Sequence, residues 1–192
     1  MTRTNALKAC CAVLLLYATA VLPASPQTFA TITDFEGPNG VAPYYDYLTQ
    51  GRNGSFYGTT SFGGSNGNGS VFRVDSTGAL TTLYDFCSIP GCSDGRIPQG
   101  GLILATDGNL YGTTSMGGSE AQRGTVFKIS PNGGLTSLHK FCVQPGCSDG
   151  EFPVGQLMQA HDGKFYGVTE RGGAYGFGTI FSMNAGGTLT TL

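Results

Sequence analysis

Asp107–Gly118 reads DGNLYGTTSMGG, and the chain writes the same line twice more, as NGSFYGTTSFGG at Asn53–Gly64 and DGKFYGVTERGG at Asp162–Gly173. The tyrosines fall at Tyr57, Tyr111 and Tyr166, separations of 54 and 55. Downstream, Phe72, Phe127 and Phe181 recur with separations of 55 and 54. Such a repeat points to the architecture before any motif is read, because each copy must fold alike and bury its apolar face against its neighbours.

Working outward through the middle copy gives four strands. Gly101–Ala105 (GLILA) is a short apolar run, strand a. Thr106-Asp107-Gly108 is a turn, where Asp-Gly suits the left-handed positions of a tight hairpin. Asn109–Ser115, rich in Tyr and Thr, is strand b. Met116–Arg123 is a Gly/Ser loop, and Gly124–Ser130 (GTVFKIS) alternates as strand c. Pro131–Gly134 is a second turn, followed by Leu135–Phe141 (LTSLHKF) as strand d. Evenly spaced short strands with glycine punctuation, and no sustained helical period, indicate an all-β fold. Four antiparallel strands in about 54 residues make one propeller blade. A β-helix rung needs far fewer residues, and a sandwich gives no reason for near-identical copies. The expected fold is therefore a β-propeller-like tandem of four-stranded blades over residues 28–192, with blades at about 43–86, 98–141 and 153–192. Thr28–Phe35 (TFATITDF) matches strand d and is expected as an N-terminal strand. Thr188–Leu192 (TLTTL) also opens like a strand d. Three blades fall short of the usual four to eight, so the unit is expected to be part of a larger propeller or one of several chains that join.

The N-terminus reads as a secretory signal over residues 1–27. Arg3 and Lys8 precede the apolar run Ala9–Leu22, which at 14 residues is short for a bilayer span of about 20. Ala18-Thr19-Ala20 fits the small-x-small cleavage rule, with Ala24–Gln27 as the other cleavage region. Cys10 and Cys11 leave with the signal. No membrane span is expected in the mature chain. Its formal charge falls from −2 to −4 by count, and charged residues are only 11%. The absence of a basic patch excludes nucleic acid as the expected partner.

Four cysteines remain, in Cys87-Ser-Ile-Pro-Gly-Cys92 and Cys142-Val-Gln-Pro-Gly-Cys147. In an exported chain such pairs suggest disulfides, and Pro-Gly suits the centre of a type II turn. Phe35 to Asn39 is four residues, whereas Phe86 to Asp94 and Phe141 to Asp149 are eight. The cysteines thus arrive with an extension and are expected to staple it, although four cysteines allow three pairings. A metal is not expected, because no histidine sits at matching positions.

Together, the units D/N-G-x-h-Y-G-T/V-T-x-x-G-G, G-T/S-V/I-F and L-T-x-L resemble the GloVer (Gloeo/Verruco) tandem repeat of exported bacterial choice-of-anchor proteins. The resemblance spans essentially all of residues 28–192. It implies an extracellular or surface-associated repeat protein. It carries no established reaction or ligand and no catalytic residue. The DGNLY segment also resembles, more distantly, blades of NHL and gluconolactonase-like propellers.

Chemistry is sparse. His139 and His161 are the only histidines, and each reads as a surface residue, aligned with Asp85 and Arg52 in other copies. Asp94-Gly95 and Asp149-Gly150, with Asn39-Gly40 equivalent, read as turns, since they lack a dense calcium-ligand run. No serine lies in a nucleophile elbow. In an antiparallel meander the b–c and d–a loops share one face. These are the loops that differ between copies: Ser61–Gly69, Ser115–Arg123, Glu170–Phe177 and the cysteine loops. That face is the expected recognition surface, with Arg96, Glu120, Arg123, Glu151, Arg171 and Tyr175 as candidate binding residues. The expected function is an exported, non-catalytic binding or cell-surface protein without a cofactor. Its partner is an extracellular ligand such as a glycan or a surface protein. The alternative is a propeller hydrolase or lyase acting on carbohydrate or lactone at the axis.

Overall fold

The computed structural model describes residues 28–43 and 47–192. The expected signal segment, residues 1–27, lies outside the described residues. The chain divides into Met1–Ala30 and a compact unit, Thr31–Leu192, and the fold is that of the second.

Among the described residues, thirteen strands form three antiparallel sheets. The first runs β1 (Thr49–Gln50), β2 (Phe56–Thr60), β3 (Ser70–Val74) and β4 (Leu80–Asp85). The second has β5 (Arg96–Pro98) and β6 (Ile103–Leu104) on the same edge of β7 (Leu110–Met116), then β8 (Thr125–Ile129) and β9 (Leu135–Lys140). The third runs β10 (Glu151–Gln159), β11 (Phe165–Arg171), β12 (Thr179–Met183) and β13 (Leu189–Thr191). Each sheet is an up-and-down meander in chain order, so the fold is all-β, a tandem of propeller-like blades. Strands b, c and d lie where their Tyr, Val-Phe and Leu-Thr patterns place them. Strand a differs. The GLILA run is paired only at Ile103–Leu104, and the chain joins the sheet earlier, at Arg96–Pro98. Gly100 and Gly101 separate the two stretches. In the third blade they fuse into β10, which carries a register shift between Val154 and Met158.

The core is the pair of joints between successive blades. Tyr57, Val71 and Phe86 of the first blade meet Leu102, Leu110, Phe127 and Ile129 of the second. Tyr111, Val126 and Phe141 of the second meet Leu157, Phe165, Phe181 and Met183 of the third. The two joints are built alike. The Phe that ends strand d sits edge-on against the strand c Phe of the next blade, Phe86 on Phe127 at 5.2 Å and Phe141 on Phe181 at 5.4 Å.

The glycine after each repeated tyrosine is explained by that same strand c Phe. Gly58, Gly112 and Gly167 pair in register with Phe72, Phe127 and Phe181. A Cβ on them would stand 2.6, 2.7 and 2.5 Å from the Phe ring. The close approach expected from glycine in a strand is therefore that of an aromatic ring folded across the strand.

Thr31–Glu36 make no ladder, yet Phe35 packs edge-on against Phe72 at 5.0 Å, as Phe86 does on Phe127.

Candidate functional site: the loop face

Each d–a loop is closed on itself. Disulfides join Cys87 to Cys92 and Cys142 to Cys147, with Cα atoms 4.0 and 4.1 Å apart, so both bonds lie within one loop. Pro90–Cys92 and Pro145–Cys147 form single 3-10 turns, with Gly91 and Gly146 at positive φ. Beyond the turn an aspartate ties the loop to strand d. Asp94 Oδ2 accepts from the Tyr84 hydroxyl at 2.8 Å and the Ser88 amide at 2.9 Å. Burial, with the Asp94 carboxylate close by, pushes the Tyr84 phenol up to about 12. Asp149 receives His139 Nε2 at 2.9 Å and the Cys142 amide at 3.1 Å. The Asp-Gly pairs are thus turn residues whose carboxylates are engaged inside the loop.

His139 departs from its expected placement. It pairs with Val126 as Tyr84 pairs with Val71, so it stands in the place of Tyr84 and not of Asp85. Its side chain is only 18% exposed and bound to Asp149, not a free surface group. The registers differ because the strand d positions must be counted back from Phe86 and Phe141.

Each d–a loop rests on the b–c loop of the blade it leads into. The Gly118 amide donates to the Cys92 carbonyl and the Gly173 amide to the Cys147 carbonyl, both at 2.9 Å. Gln122 Nε2 donates to the Gly91 carbonyl at 2.8 Å. Gly95 and Gly150 lie over the hydroxyl pairs Thr114–Thr125 and Thr169–Thr179. Their φ values near 100° and the 2.4–2.5 Å approach of a built Cβ to the Thr hydroxyl leave glycine as the fitting residue. The two variable loop sets therefore form one continuous surface.

At the centre of that surface the backbone repeats while the side chains do not. Ala42, Ile97 and Phe152, each just before a proline, all adopt left-handed φ of 57°, 54° and 56°. For a β-branched Ile or a bulky Phe this is a genuine departure, held only where surroundings over-determine it. Val41–Phe62, Arg96–Met116 and Glu151–Arg171 are the equivalent facing pairs. Of these positions Phe62, Ile97, Met116, Phe152 and Arg171 line a cavity of about 290 Å³. Phe62, Ile97, Met116 and Phe152 form its apolar wall, with Gln99, Ser115, Glu170 and Arg171 as its polar side. Ser115 is turned inward, donating to the Ile97 carbonyl at 2.8 Å.

Three of the six candidate residues come together here around Phe152. The Arg123 guanidinium lies 4.8 Å from the Phe152 ring centre and that of Arg171 lies 5.9 Å away. Arg123 Nε is 3.1 Å from Glu151 Oε2. This is an ion pair by proximity, since Nε finds no aligned hydrogen-bond partner, and its exposure limits it to about 0–1 kcal/mol. Arg171 Nε also lies 3.5 Å from Glu170 Oε1. The other three stand apart. Arg96 is half-buried in the β5–β7 ladder with its Nε unpartnered. Glu120 lines a separate groove with Pro90, Gln122 and Lys140. Tyr175 is 88% exposed on its loop. Sequence reasoning missed Phe62, Ile97, Met116 and Phe152, because apolar residues beside strands read as core, and it missed the uncharged Gln99 after the repeated proline. For Ile97 and Phe152 the available signal was the unlike residue before each repeated proline.

Among the described residues, Cys142, Cys147 and Glu151 could gather round a cation. Both sulfurs are disulfide-bonded and present no thiolate.

A family profile described as the Gloeobacter/Verrucomicrobia repeat matches residues 20–192. No curated protein matches the chain. Similar solved structures include a protein provisionally named a gluconolactonase, 16% identical with a TM-score of 0.45, covering 75% of this chain and 45% of that one. A luciferin-regenerating enzyme is 13% identical with a TM-score of 0.48, covering 76% and 44%. The PQQ-bound aldose sugar dehydrogenase of Streptomyces coelicolor is 16% identical with a TM-score of 0.47, covering 79% and 47%. The chain thus spans less than half the length of each of these proteins. Likeness at this level transfers neither substrate nor chemistry.

Proposed function

Since the chain belongs to the Gloeobacter/Verrucomicrobia repeat family, with its shared residues devoted to building blades, we propose that it is an exported, non-catalytic binding protein. Its ligand, a glycan or a surface protein, meets the loop face at the cavity beside Phe152. The observation that carries this reading is the contrast along the repeated frame, two copies of which line the cavity through Ile97 and Phe152. Ala42, Ile97 and Phe152 share one strained backbone conformation, and Phe62, Met116 and Arg171 share one ladder position. Where the frame is the same, the side chains differ most, as expected for recognition by loops on a rigid scaffold. An apolar wall with a few polar groups at one side is the usual make-up of a binding cleft.

Export is supported by the two disulfides, which persist in oxidising compartments, and by the reading of residues 1–27 as a signal. Among the described residues, no helix is long and apolar enough to cross a membrane. N-terminal sequencing of the secreted product should begin after Ala20 or near Gln27; an intact Met1 would contradict export by cleavage.

The binding reading is tested by retention on a panel of purified polysaccharides and isolated bacterial envelopes. Retention by at least one of them, lost in Phe152→Ala and Arg171→Ala while melting is unchanged, is the expected result. Retention indifferent to both variants would refute the site. Turnover of a saccharide or lactone would refute the non-catalytic role.

A further inference from the structure

At one corner of the blade joints, on the side of the a–b turns, the residues change together. In the second joint Ala105 and Thr106 of the second blade meet Gln159 and Phe165 of the third. The Phe165 ring stacks on Tyr111 at 4.1 Å. Gln159 closes the rim, its Oε1 accepting from the Thr106 amide at 2.9 Å and its Nε2 donating to the Thr106 hydroxyl at 3.3 Å. In the first joint the same places hold Gly51, Arg52, Leu104 and Leu110.

Each exchange opens the corner. Leu110 is smaller than the ring it replaces, and Leu104 has no polar group to bridge the rim. Gly51 lets the Tyr57 ring lie against its backbone, since a built Cβ there would stand 2.6 Å from Tyr57 Cε2. The outcome is the cavity of about 210 Å³ walled by Tyr57, Leu104, Leu110 and Pro131. An apolar cavity of about 150 Å³ is enough to take a benzene ring. Arg52 is the one charged residue that lines it. Its Nη2 donates to the Thr106 carbonyl at 2.9 Å, which fixes the exposed guanidinium at the rim. Among the described residues Arg52 forms no ion pair. The carboxylate next to Thr106 is engaged in its own turn: Asp107 Oδ2 accepts from Asn109 Nδ2 at 2.9 Å and from the Tyr111 hydroxyl at 2.8 Å. Asn53, also at the rim, is occupied by the Tyr57 hydroxyl and the Ser55 amide.

We propose that this cleft binds a small aromatic carboxylate. The ring enters the place that the Phe165 ring fills in the other joint and stacks on Tyr57, while the carboxylate meets the Arg52 guanidinium. The second joint supplies the reason for a ring, because the protein itself places one on the equivalent tyrosine. The lone cation at the rim supplies the reason for an anion, and a guanidinium suits a carboxylate in particular. The site lies on the face opposite the variable loops and is independent of the binding proposed for them.

The test is calorimetric titration of the secreted chain with phenylacetate, beside phenethyl alcohol, which keeps the ring without the charge, and hexanoate, which keeps the charge without the ring. Phenylacetate should bind at one site with a Kd of about 1 mM or tighter, as fits a ligand of so few atoms. Phenethyl alcohol should bind about three- to fivefold more weakly, and Arg52→Ala should weaken phenylacetate by the same factor, the range of an exposed ion pair. Hexanoate should bind more weakly than either. Leu110→Phe puts the protein's own ring in the site and should abolish phenylacetate binding without lowering Tm. Leu104→Gln, which restores the rim residue of the second joint, is the second variant and should weaken binding as well. Absence of saturation up to about 10 mM phenylacetate would overturn the proposal. So would undiminished binding in both Leu110→Phe and Leu104→Gln, an affinity indifferent to Arg52→Ala, or hexanoate bound as tightly as phenylacetate.

Discussion

Besides Ile129 standing where the second joint has Met183, and the exchanges beside Arg52 described above, the two internal joints differ by one aromatic ring, and that difference yields a gain of stability. Tyr111 stacks on Phe165 with ring centres 4.1 Å apart and planes 24° from parallel. At the equivalent place in the first joint Tyr57 faces Leu110, and a cavity of about 210 Å³ opens beside them, lined also by Leu104, Gly108 and Arg52. The other two copies carry Phe56 and Phe165 where the second carries Leu110. Leu110→Phe should fill part of this space with a ring stacked on Tyr57. An aromatic pair contributes about 0.5–1.5 kcal/mol beyond its area. The added volume, roughly 25 Å³ at about 24 cal/mol per Å³ of cavity, contributes about 0.6 kcal/mol. The expected gain is about 1–2 kcal/mol, a rise in Tm of roughly 3–6 °C for a unit of this size. Thermal unfolding followed by far-ultraviolet circular dichroism reads it directly. The mirror change Phe165→Leu should lower Tm by a similar or larger amount. A Leu110→Phe protein that melts at or below the wild type, beside a destabilised Phe165→Leu, would refute the view that the joints are equivalent units differing by one ring.

Further expectations follow from the same geometry. Gly112→Ala places a methyl 2.7 Å from Phe127 Cζ and 2.9 Å from Leu102 Cδ2, both on fully buried side chains. It should cost about 1–3 kcal/mol, and a double change with Phe127→Leu should cost less than the two single changes added; strict additivity in denaturant titrations would locate the strain elsewhere. Replacing Cys142 and Cys147 together by serine should lower stability by about 2 kcal/mol on the loop-entropy model. Peptide mapping without reductant should find only the bonds within each loop, and any crossed pair would contradict the loop geometry. The raised Tyr84 phenol favours the neutral form in the folded state. Its contribution is therefore complete below the unfolded value near 10 and is lost as pH rises from there through about 12. Tyr84→Phe should flatten part of the alkaline limb of the stability curve, whereas an unchanged limb would show that the phenol does not titrate with folding.

The strands were legible because their residues do one job in every copy. Leu110–Met116, Thr125–Ile129 and Leu135–Lys140 fall within a residue or so of the patterns that announce them. Strand a was legible only in part, because its ladder is set by which residues can face β7 past Gly100 and Gly101, not by the apolar run alone. Disulfide pairing could not be chosen from four cysteines, since it depends on the 3-10 turn closing each loop. On the loop face, Arg123, Glu151 and Arg171 drew notice as charges. Phe152 and Ile97 did not, because an apolar residue before a proline reads as extended chain and gives no sign of a left-handed backbone. His139 was misplaced by one position because its role, a clamp on Asp149, matches a tyrosine in the other copy and not a histidine.

The most direct test of where this protein meets its ligand compares its two faces in one retention measurement on bacterial envelopes and polysaccharides. One variant carries Phe152→Ala and Arg171→Ala on the loop face; the other carries Arg52→Ala and His161→Ala on the a–b turns opposite. Retention should be lost in the first and kept in the second. Loss confined to the second would contradict the assignment of recognition to the loop face.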